Sequence, residues 1–590
     1  VSFHFVYTII VLVLLNAALI TELVETDMAI FSSLILLVIG GVINLHEAFA
    51  GFANEGMLTV AAMCIVAAGL EKTGILNRIS DVLLGRKGSI AIKLFRFTIV
   101  IAAVSAFFNN TPIVAMMIPA VIHWTRKNQQ PASKYLIPLS YATILGGTCT
   151  LIGTSTNLVV HGMMLQNGLP GLGFFEISKV GVPVAIIGVA GMAFFFHKLL
   201  PSRNEPFVQI NEHTREFVIA MKVEQNYPHL DHTVEEAGLR HLKGLFLFQI
   251  ERETETKSPI GPDDRINLGD RLFFTGLPET IIDLQKTPGL SLLRDAHFDL
   301  KHYDSDAIGS FEVVVSADSP LAGQTVRESN FRSTYDAVIL AIHRSGERIR
   351  QKIGDIVLRP GDTLLILASQ TFLSHWYHSR HFYLVSRSVN PPSKPRWYAY
   401  FSLAVLIVMI VVMAFELVPV LVAGVIASLV LIFARCIPPH EARQSLDLKV
   451  IITIAGAFGI SKALENSGFA FFVANKLLEV MGSWGIMGLI VGTYVLTSIY
   501  TELITNNAAA ALMVPIVLSM AKLVGAPPLP FMIAVVMGAS NSFATPISYQ
   551  TNMMVYGPGG YKFIDYLKIG IPMKILTTLA AVCLISLLYL

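Results

Sequence analysis

Apolar residues run along this chain in long stretches, not in the short stripes of a water-soluble core. A helix crossing a hydrocarbon layer about 30 Å thick needs roughly 20 apolar residues. Stretches of this kind lie near 5–24, 27–44, 57–71 (short), 136–165 and 179–200, and again near 397–416, 419–435, 450–464, 529–556 and 568–590. Between the third and fourth stretch of each set stands a further apolar pair, 89–108 with 111–124 and 484–504 with 507–521, each broken in the middle by polar amides. Each pair predicts a re-entrant hairpin, whose two helices enter and leave the layer on the same side. The run Ile9 to Ile20 has neither a basic leader nor a small-residue cleavage site and reads as part of the first crossing, not as a signal peptide.

The block 201–395 differs in kind. It holds most of the charge, turn signals such as Pro-Asp-Asp and Pro-Gly-Asp, and short alternating strands such as Glu312 to Ser316. Within it, Thr233-Val234 with Leu268-Gly269-Asp270 is echoed by Thr325-Val326 with Pro360-Gly361-Asp362 at one offset of 92 residues. The block therefore reads as two copies of a small soluble α+β unit, 201–300 and 301–395. The Leu-Gly-Asp and Pro-Gly-Asp elements read as hairpin turns.

A longer repeat relates 1–200 to 396–590. Gly69-Leu70-Glu71-Lys72-Thr73-Gly74 pairs with Ala463-Leu464-Glu465-Asn466-Ser467-Gly468 at offset 394, Asn110 with Asn506 and Pro119 with Pro515 at 396, and Asn157 with Asn552 at 395. Five crossings plus a hairpin in each half force the second copy into the membrane upside down. The fold class expected is a polytopic α-helical membrane protein, an inverted repeat with hairpins 89–124 and 484–521 and a soluble insert of two tandem small domains. In folds of this plan, sites lie at the midplane where helices are interrupted. Lys72, Arg78, Arg86, Lys87, Lys93 and Arg96, then Arg126, Lys127 and Lys134, then Arg435, Arg443 and Lys449 fall on one side in this count. The insert falls there too, which predicts a cytoplasmic insert, a first hairpin entering from inside, a second from outside, and external ends.

Composition agrees with the membrane reading: 53% of the 590 residues are hydrophobic and 14% charged, against about 25% charged in soluble proteins. A net charge of +2 without a long basic run gives no ground for a nucleic-acid partner. Cys64, Cys149, Cys436 and Cys583 stand apart and read as packing residues. The insert's histidines and carboxylates are scattered, and neither a Walker sequence nor a nucleotide-binding glycine fingerprint is present, so an enzyme is not expected and no cofactor is called for.

The candidate chemistry sits at four breaks in the apolar runs. The hairpins break at Phe108-Asn109-Asn110-Thr111-Pro112 and at Thr505-Asn506-Asn507-Ala508. The long stretches break at Gly146-Gly147-Thr148 and Gly153-Thr154-Ser155-Thr156-Asn157, and at Thr545-Pro546 and Ser548-Tyr549-Gln550-Thr551-Asn552. Unpaired backbone groups in lipid cost several kcal/mol each, so such breaks persist where they line a polar cavity or a ligand. Helix N-termini there offer free N–H groups and a positive dipole end to an anion. None of the four segments contains Lys or Arg. Carbonyls, amides and hydroxyls at the same breaks are hard ligands suited to Na⁺. Glu502, three residues from a tip, reads as an acceptor for the hairpin's free N–H groups ahead of a proton relay. His161 reads as a helix-end residue ahead of a pH-sensitive gate. Tyr549 either contacts the anion or closes the cavity.

These residues resemble those of the divalent anion/sodium symporter family, whose members carry sulfate, dicarboxylates or citrate, and the resemblance covers the whole membrane portion. The family's tips carry Ser-Asn-Thr; here Asn109-Asn110-Thr111 and Thr505-Asn506-Asn507 keep the central asparagine. Ser105 and Thr501 match a hydroxyl residue that the family places four positions before each tip. The resemblance implies one sodium site from Ser105, Asn109, Asn110 and Gly153 and a second from Thr501, Thr505, Asn506 and Ser548. It implies an anion held between the tips by Asn109, Asn110, Thr111, Ser155, Thr505, Asn506, Asn507, Tyr549 and Gln550. Where dicarboxylate carriers tend to have Pro-Pro-Asn, this chain has Ser155-Thr156-Asn157 and Gln550-Thr551-Asn552, which favours a compact oxyanion such as sulfate. The insert resembles the paired C-terminal regulatory modules (TrkA-C or RCK-C type) of potassium-transport gating subunits. The resemblance further implies sodium as coupling ion, a homodimer in the cell membrane, an elevator motion, and a cytosolic nucleotide or other small molecule acting on 201–395. A dicarboxylate symporter is the alternative, and a ligand-gated ion channel a weaker one, since no selectivity-filter-like loop is present.

Overall fold

With no water in a lipid layer to satisfy its N–H and C=O groups, so apolar a chain closes its backbone bonds within helices. The computed structural model describes residues 2–21, 24–73, 89–203, 218–239, 245–252, 256–257, 260–261, 263–276, 287–293, 308–316, 319–344, 347–349, 351, 353–369, 372, 376, 379, 381–384, 396–446 and 448–590. Gly74, Arg78, Arg86 and Lys87, used above for the repeat and the charge bias, lie outside the described residues, as does the side chain of Arg126.

The first half runs through helices Phe3–Thr21, Thr26–Ile39, the short Leu45–Phe49, Glu55–Lys72, Ile90–Ser105, Asn110–Lys127, Leu136–Gly147, Ser155–Gln166 and Ser178–Ala190. The second runs through Arg396–Ala414, Val420–Phe433, the short Pro439–Gln444, Leu448–Asn466, Phe469–Met481, Gly485–Leu503, Asn506–Val524, Leu529–Ala539, Gln550–Tyr556 and Phe563–Tyr589. Six helical spans among the described residues are long and apolar enough to cross a membrane: Leu45–Leu70, Ser178–Leu199, Trp397–Ala414, Phe469–Leu503, Asn506–Val524 and Phe563–Tyr589. Others are shorter apolar helices, among them Phe3–Leu19, Thr26–Ile39, Val420–Phe433 and Leu529–Ala539.

The stretches 136–165 and 529–556 are interrupted as the sequence reading expects, each being two helices separated by non-helical backbone, 148–154 and 540–549. One difference from that reading stands out. Phe469–Met481, to which the hydrophobic pattern assigned no element, is a helix of 13 residues. Its Lys476–Glu479 pair on the exposed side interrupts the apolar run, so a scan for 20-residue stretches passes over it.

Close packing repeats between the halves. A Cβ on Gly181 would stand 2.1 Å from the Thr148 carbonyl oxygen, and one on Gly570 would stand 2.1 Å from that of Phe543. Pro183 and Pro572 lie two residues further along the same two helices. Small residues here let a helix rest directly on the irregular backbone of the adjacent break.

Residues between the halves form two five-stranded antiparallel sheets. The first contains β1 (Val218–Val223), β2 (Leu245–Glu251), β3 (Thr256–Lys257), β4 (Arg271–Gly276) and β5 (Leu290–Leu292), in the order β3-β2-β4-β1-β5. The second contains β6 (Ile308–Val315), β7 (Ala337–Arg344), β8 (Glu347–Arg348), β9 (Thr363–Ser369) and β10 (Phe382–Leu384), in the order β10-β6-β9-β7-β8, the same topology. Bulges at Leu247/Gln249 and Ile339/Ala341, and ion pairs Arg252–Asp270 and Arg344–Asp362, recur at the offset of 92. In each pair the carboxylate is buried, and it also accepts a backbone N–H, from Asn267 or from Arg359, so the ion pair braces the turn before β4 or β9. Ala220 and Phe273 of the first sheet pack against Val338, Leu340, Ala341, Leu365 and Leu367 of the second. Val314 of β6 packs into the helical core.

Candidate functional site

The site is built from eight helix ends meeting at four breaks. In the first half, Ser105 ends one hairpin helix and Asn110 begins the next. The Ser105 hydroxyl lies 2.7 Å from Asn110 Oδ1 and 3.0 Å from the Thr143 carbonyl oxygen. A hydroxyl has one proton for these two acceptors, so oxygen lone pairs gather there in excess of donors. In the second half, Thr501 Oγ1 lies 2.7 Å from Asn506 Oδ1 and 2.8 Å from the Ala539 carbonyl oxygen, and the Ser542 hydroxyl joins them 2.9 Å from Asn506 Oδ1. Each half therefore holds a buried cluster of hydroxyl, amide and carbonyl oxygens, related by the offset of 396 (Ser105 and Thr501, Asn110 and Asn506, Thr143 and Ala539). Uncharged oxygens of this type suit a hard monovalent cation carried as cargo.

The breaks are pinned in matched fashion. Asn157 Nδ2 donates to the carbonyls of Gly147 and Thr150, and Asn552 Nδ2 to those of Ser542 and Thr545. Asn552 Oδ1 accepts from Ser140. The counterpart of Ser140 is Val536, which brings no hydroxyl, and Asn157 Oδ1 is a buried acceptor without a hydrogen-bond partner among the described residues.

Contacts between the halves are crossed. Asn110 Nδ2 donates to the Tyr549 hydroxyl at 2.9 Å and Thr111 Oγ1 to Gln550 Oε1 at 3.1 Å. Ser155 and Thr156 donate to Asn507 Oδ1 at 3.1 and 3.0 Å. Thr111 corresponds to Asn507 and Ser155 to Gln550, so each hairpin tip faces the break of the opposite half. Tyr549 also hydrogen-bonds Thr154, its own counterpart, which places this pair at the centre of the pseudo-symmetry. Four helix N-termini thereby converge, and the residues Thr154, Thr505 and Tyr549 that precede three of them make no side-chain cap, so those N–H groups face the site uncapped.

Among the residues singled out from the sequence, Ser105, Asn110, Thr111, Ser155, Thr501, Asn506, Asn507, Tyr549 and Gln550 meet in this constellation. Gly153 lies at its edge: a Cβ on Gly147 would meet Asn110 Oδ1 at 3.0 Å and the Gly153 carbonyl at 3.4 Å. Ser548 turns its hydroxyl onto the Thr545 carbonyl, and Asn109 and Thr505 are exposed at the two tips. The carboxylate of Glu502 bonds the Ala544 N–H and the Thr545 hydroxyl of the neighbouring break and Lys574 of the helix Phe563–Tyr589, and not the hairpin's own N–H groups. His161 Nδ1 accepts from the Leu172 N–H, which anchors the chain after its helix. Ser542, Ser140 and Lys574 were not singled out; the polar Ser540-Asn541-Ser542 run inside an apolar stretch was the available signal for the first. All four cysteines are free thiols.

The insert touches the helix that begins at Gln550. The turn Pro360-Gly361 rests against Met553, Tyr556 and Gly557, at the far end of the helix that begins at Gln550. A Cβ on Gly557 would stand 2.6 Å from both the Gly361 carbonyl oxygen and Thr363 Oγ1. Gly557→Leu is therefore expected to lift the second sheet off this helix. Limited proteolysis of the purified protein should then cut between the halves several-fold faster than in the parent, whereas Gly173→Ala, whose Cβ meets nothing closer than 3.6 Å, should leave the rate unchanged.

Interrupted helices, inward amides and hydroxyls, and an apolar exterior fit a polytopic helical membrane protein, and the family and relatives it matches are transporters, not enzymes. The chain belongs to the citrate transporter family, whose sequence profile matches residues 16–526 and 504–590. A Chlamydomonas reinhardtii protein named for regulation of the sulfur deprivation response is 36% identical over 96% of this chain and 98% of its own length. An uncharacterized transporter of Synechocystis sp. is 30% identical over 99% and 97%. Sodium/sulfate cotransporter 1 of Chlamydomonas reinhardtii is 26% identical over 91% and 84%. The crystal structure of the Alcanivorax borkumensis YdaH transporter aligns over 99% of this chain at 12% identity with a TM-score of 0.41, too loose a likeness to argue from.

Proposed function

We propose that this protein is a sodium-coupled symporter of a divalent anion, with sulfate as the substrate. The observation that carries the reading is the crossed constellation of Asn110, Thr111, Asn506, Asn507, Ser155, Tyr549 and Gln550, where helix N-termini converge without a Lys or Arg in any of the four breaks. N–H groups, amides and hydroxyls suit a fully ionised oxyanion. The paired oxygen clusters at Ser105/Asn110 and Thr501/Asn506 supply two places for sodium carried as co-substrate. Relatives named sodium/sulfate cotransporters support the pairing of these two cargoes.

In this reading the halves are inverted repeats, 1–200 and 396–590, in the cell membrane of a homodimer, and the insert units 201–300 and 301–395 are cytoplasmic regulatory modules of the TrkA-C or RCK-C kind. Anion and sodium cross together by an elevator motion of the hairpins and breaks. The second reading, a sodium-coupled dicarboxylate or citrate symporter, is favoured by the family profile.

Uptake of radiolabelled sulfate into proteoliposomes, with and without an inward sodium gradient and with unlabelled succinate or citrate as competitor, tests both. Sodium-dependent uptake that neither carboxylate competes is expected. Strong competition would give the site to the carboxylates, and undiminished uptake when choline replaces sodium would remove the coupling.

A further inference from the structure

The two oxygen clusters are alike, but their surroundings are not. Beside the second lies an ion pair: Lys574 Nζ is 2.9 Å from Glu502 Oε1, and both side chains are largely buried, at 18% and 13% exposure. Lys574 also donates to the Ser498 carbonyl. Glu502 adjoins Thr501 in the chain, and its other oxygen accepts from Thr545 at 3.0 Å. The Thr545 hydroxyl in turn accepts from the Ser548 N–H, and the Thr545 carbonyl accepts from Ser548 Oγ and Asn552 Nδ2. The pair thus holds the second cluster from two sides, through Thr501 and through Thr545.

The repeat shows what occupies this place in the first half. The offset of 396 that relates Asn110 to Asn506 maps Glu502 onto Ala106. The offset that relates Gly181 to Gly570 and Pro183 to Pro572 maps Lys574 onto Ala185. Both alanines are buried. Thr150, the counterpart of Thr545, donates to the Ala106 backbone carbonyl, where Thr545 uses the Glu502 carboxylate. One half therefore anchors its break with a neutral carbonyl and the other with a carboxylate whose charge is balanced by an ammonium.

A charged pair in apolar surroundings is costly relative to two alanines, which the other half shows to be compatible with the same packing. Its specific effect is electrostatic: each member alone would place a full charge beside a site for a monovalent cation. We infer that Glu502 and Lys574 are positioning residues whose opposed charges balance at the second cluster, so that the sodium affinity of that cluster alone shifts when either charge is lost without the other. This rests on the sodium-coupled reading above.

The test is sodium-induced thermal stabilisation of the purified protein, titrated without anion, alongside the sodium dependence of uptake. Lys574→Met leaves the carboxylate unbalanced and is expected to lower the half-saturating sodium of one titration component by about tenfold, whereas Glu502→Gln leaves the ammonium and is expected to raise it by about tenfold. The other component stays at the parent value. Lys574→Arg, which keeps the charge, and the double variant Glu502→Gln/Lys574→Met, which removes both charges, are expected within about twofold of the parent, on the same electrostatic argument. Shifts of the two single variants in one direction, movement of both components together, or no movement while the parent responds to sodium would overturn the inference. If the single variants do not fold, a double variant displaced by more than about tenfold overturns it, by the same charge balance. A parent that sodium neither stabilises nor drives would defeat the sodium reading itself, and the inference with it.

Discussion

Sodium-driven sulfate uptake is expected to fall by about a hundredfold in Asn110→Ala and again in Asn506→Ala, with the protein still folded. Each asparagine amide makes two hydrogen bonds at the site. Asn110 offers Oδ1 to the Ser105 cluster and Nδ2 to Tyr549 of the opposite half, and Asn506 offers Oδ1 to Thr501 and Ser542. Removing the amide costs two hydrogen bonds in each case, those to Ser105 and Tyr549 at Asn110 and those to Thr501 and Ser542 at Asn506, and each loss at a buried site is worth roughly 1–3 kcal/mol. Since 1.4 kcal/mol is about a factor of ten, two such losses give the stated fall. Asn475→Ala, whose exposed amide bonds its own helix at the Phe471 carbonyl, serves as the control and should transport like the parent. Unchanged uptake in both asparagine variants would mean that cargo does not pass between these tips.

The largest effect on stability is expected from a side chain at Gly181 or Gly570. In each case the new Cβ meets a backbone oxygen at 2.1 Å, and a backbone atom in a pinned break cannot swing aside as a flexible side chain could. Overpacking of this kind costs about 3 kcal/mol. Gly570→Val is expected to lower the thermal midpoint in detergent by several degrees and to weaken transport as well, because it displaces Phe543 and Ala544, and the Ala544 N–H is held by Glu502. Gly181→Val should destabilise to a similar extent by displacing Thr148 and Cys149. A midpoint equal to that of the parent in both variants would mean that these helices do not rest on the breaks as described.

The hydrophobic pattern foresaw most of the helices, because a backbone in apolar surroundings has few options other than helix. It foresaw the hairpin tips for a related reason: Asn109-Asn110 and Asn506-Asn507 interrupt runs that would otherwise continue. It passed over Phe469–Met481, where charge on one side hides an amphipathic helix, and it gave Glu502 to the wrong N–H groups. Glu502 was conspicuous as an acid, but Ala544 and Lys574, which it binds, are 42 and 72 residues away, and local spacing says nothing at that range.

By itself the sequence determined that the chain is helical and apolar, that motifs near 69–157 recur near 463–552, that motifs near 233–270 recur at an offset of 92, and that uncharged amides and hydroxyls mark four breaks. These follow from side-chain chemistry and from repetition, both of which are written along the chain. Only the tertiary structure decided that each tip faces the break of the other half, that Tyr549 meets Thr154 at the centre, and that one oxygen cluster stands beside an ion pair while its twin stands beside alanines. An internal repeat states which residues are equivalent. Which equivalents touch depends on where the axis relating the copies passes, and that is fixed by packing between residues some 400 positions apart.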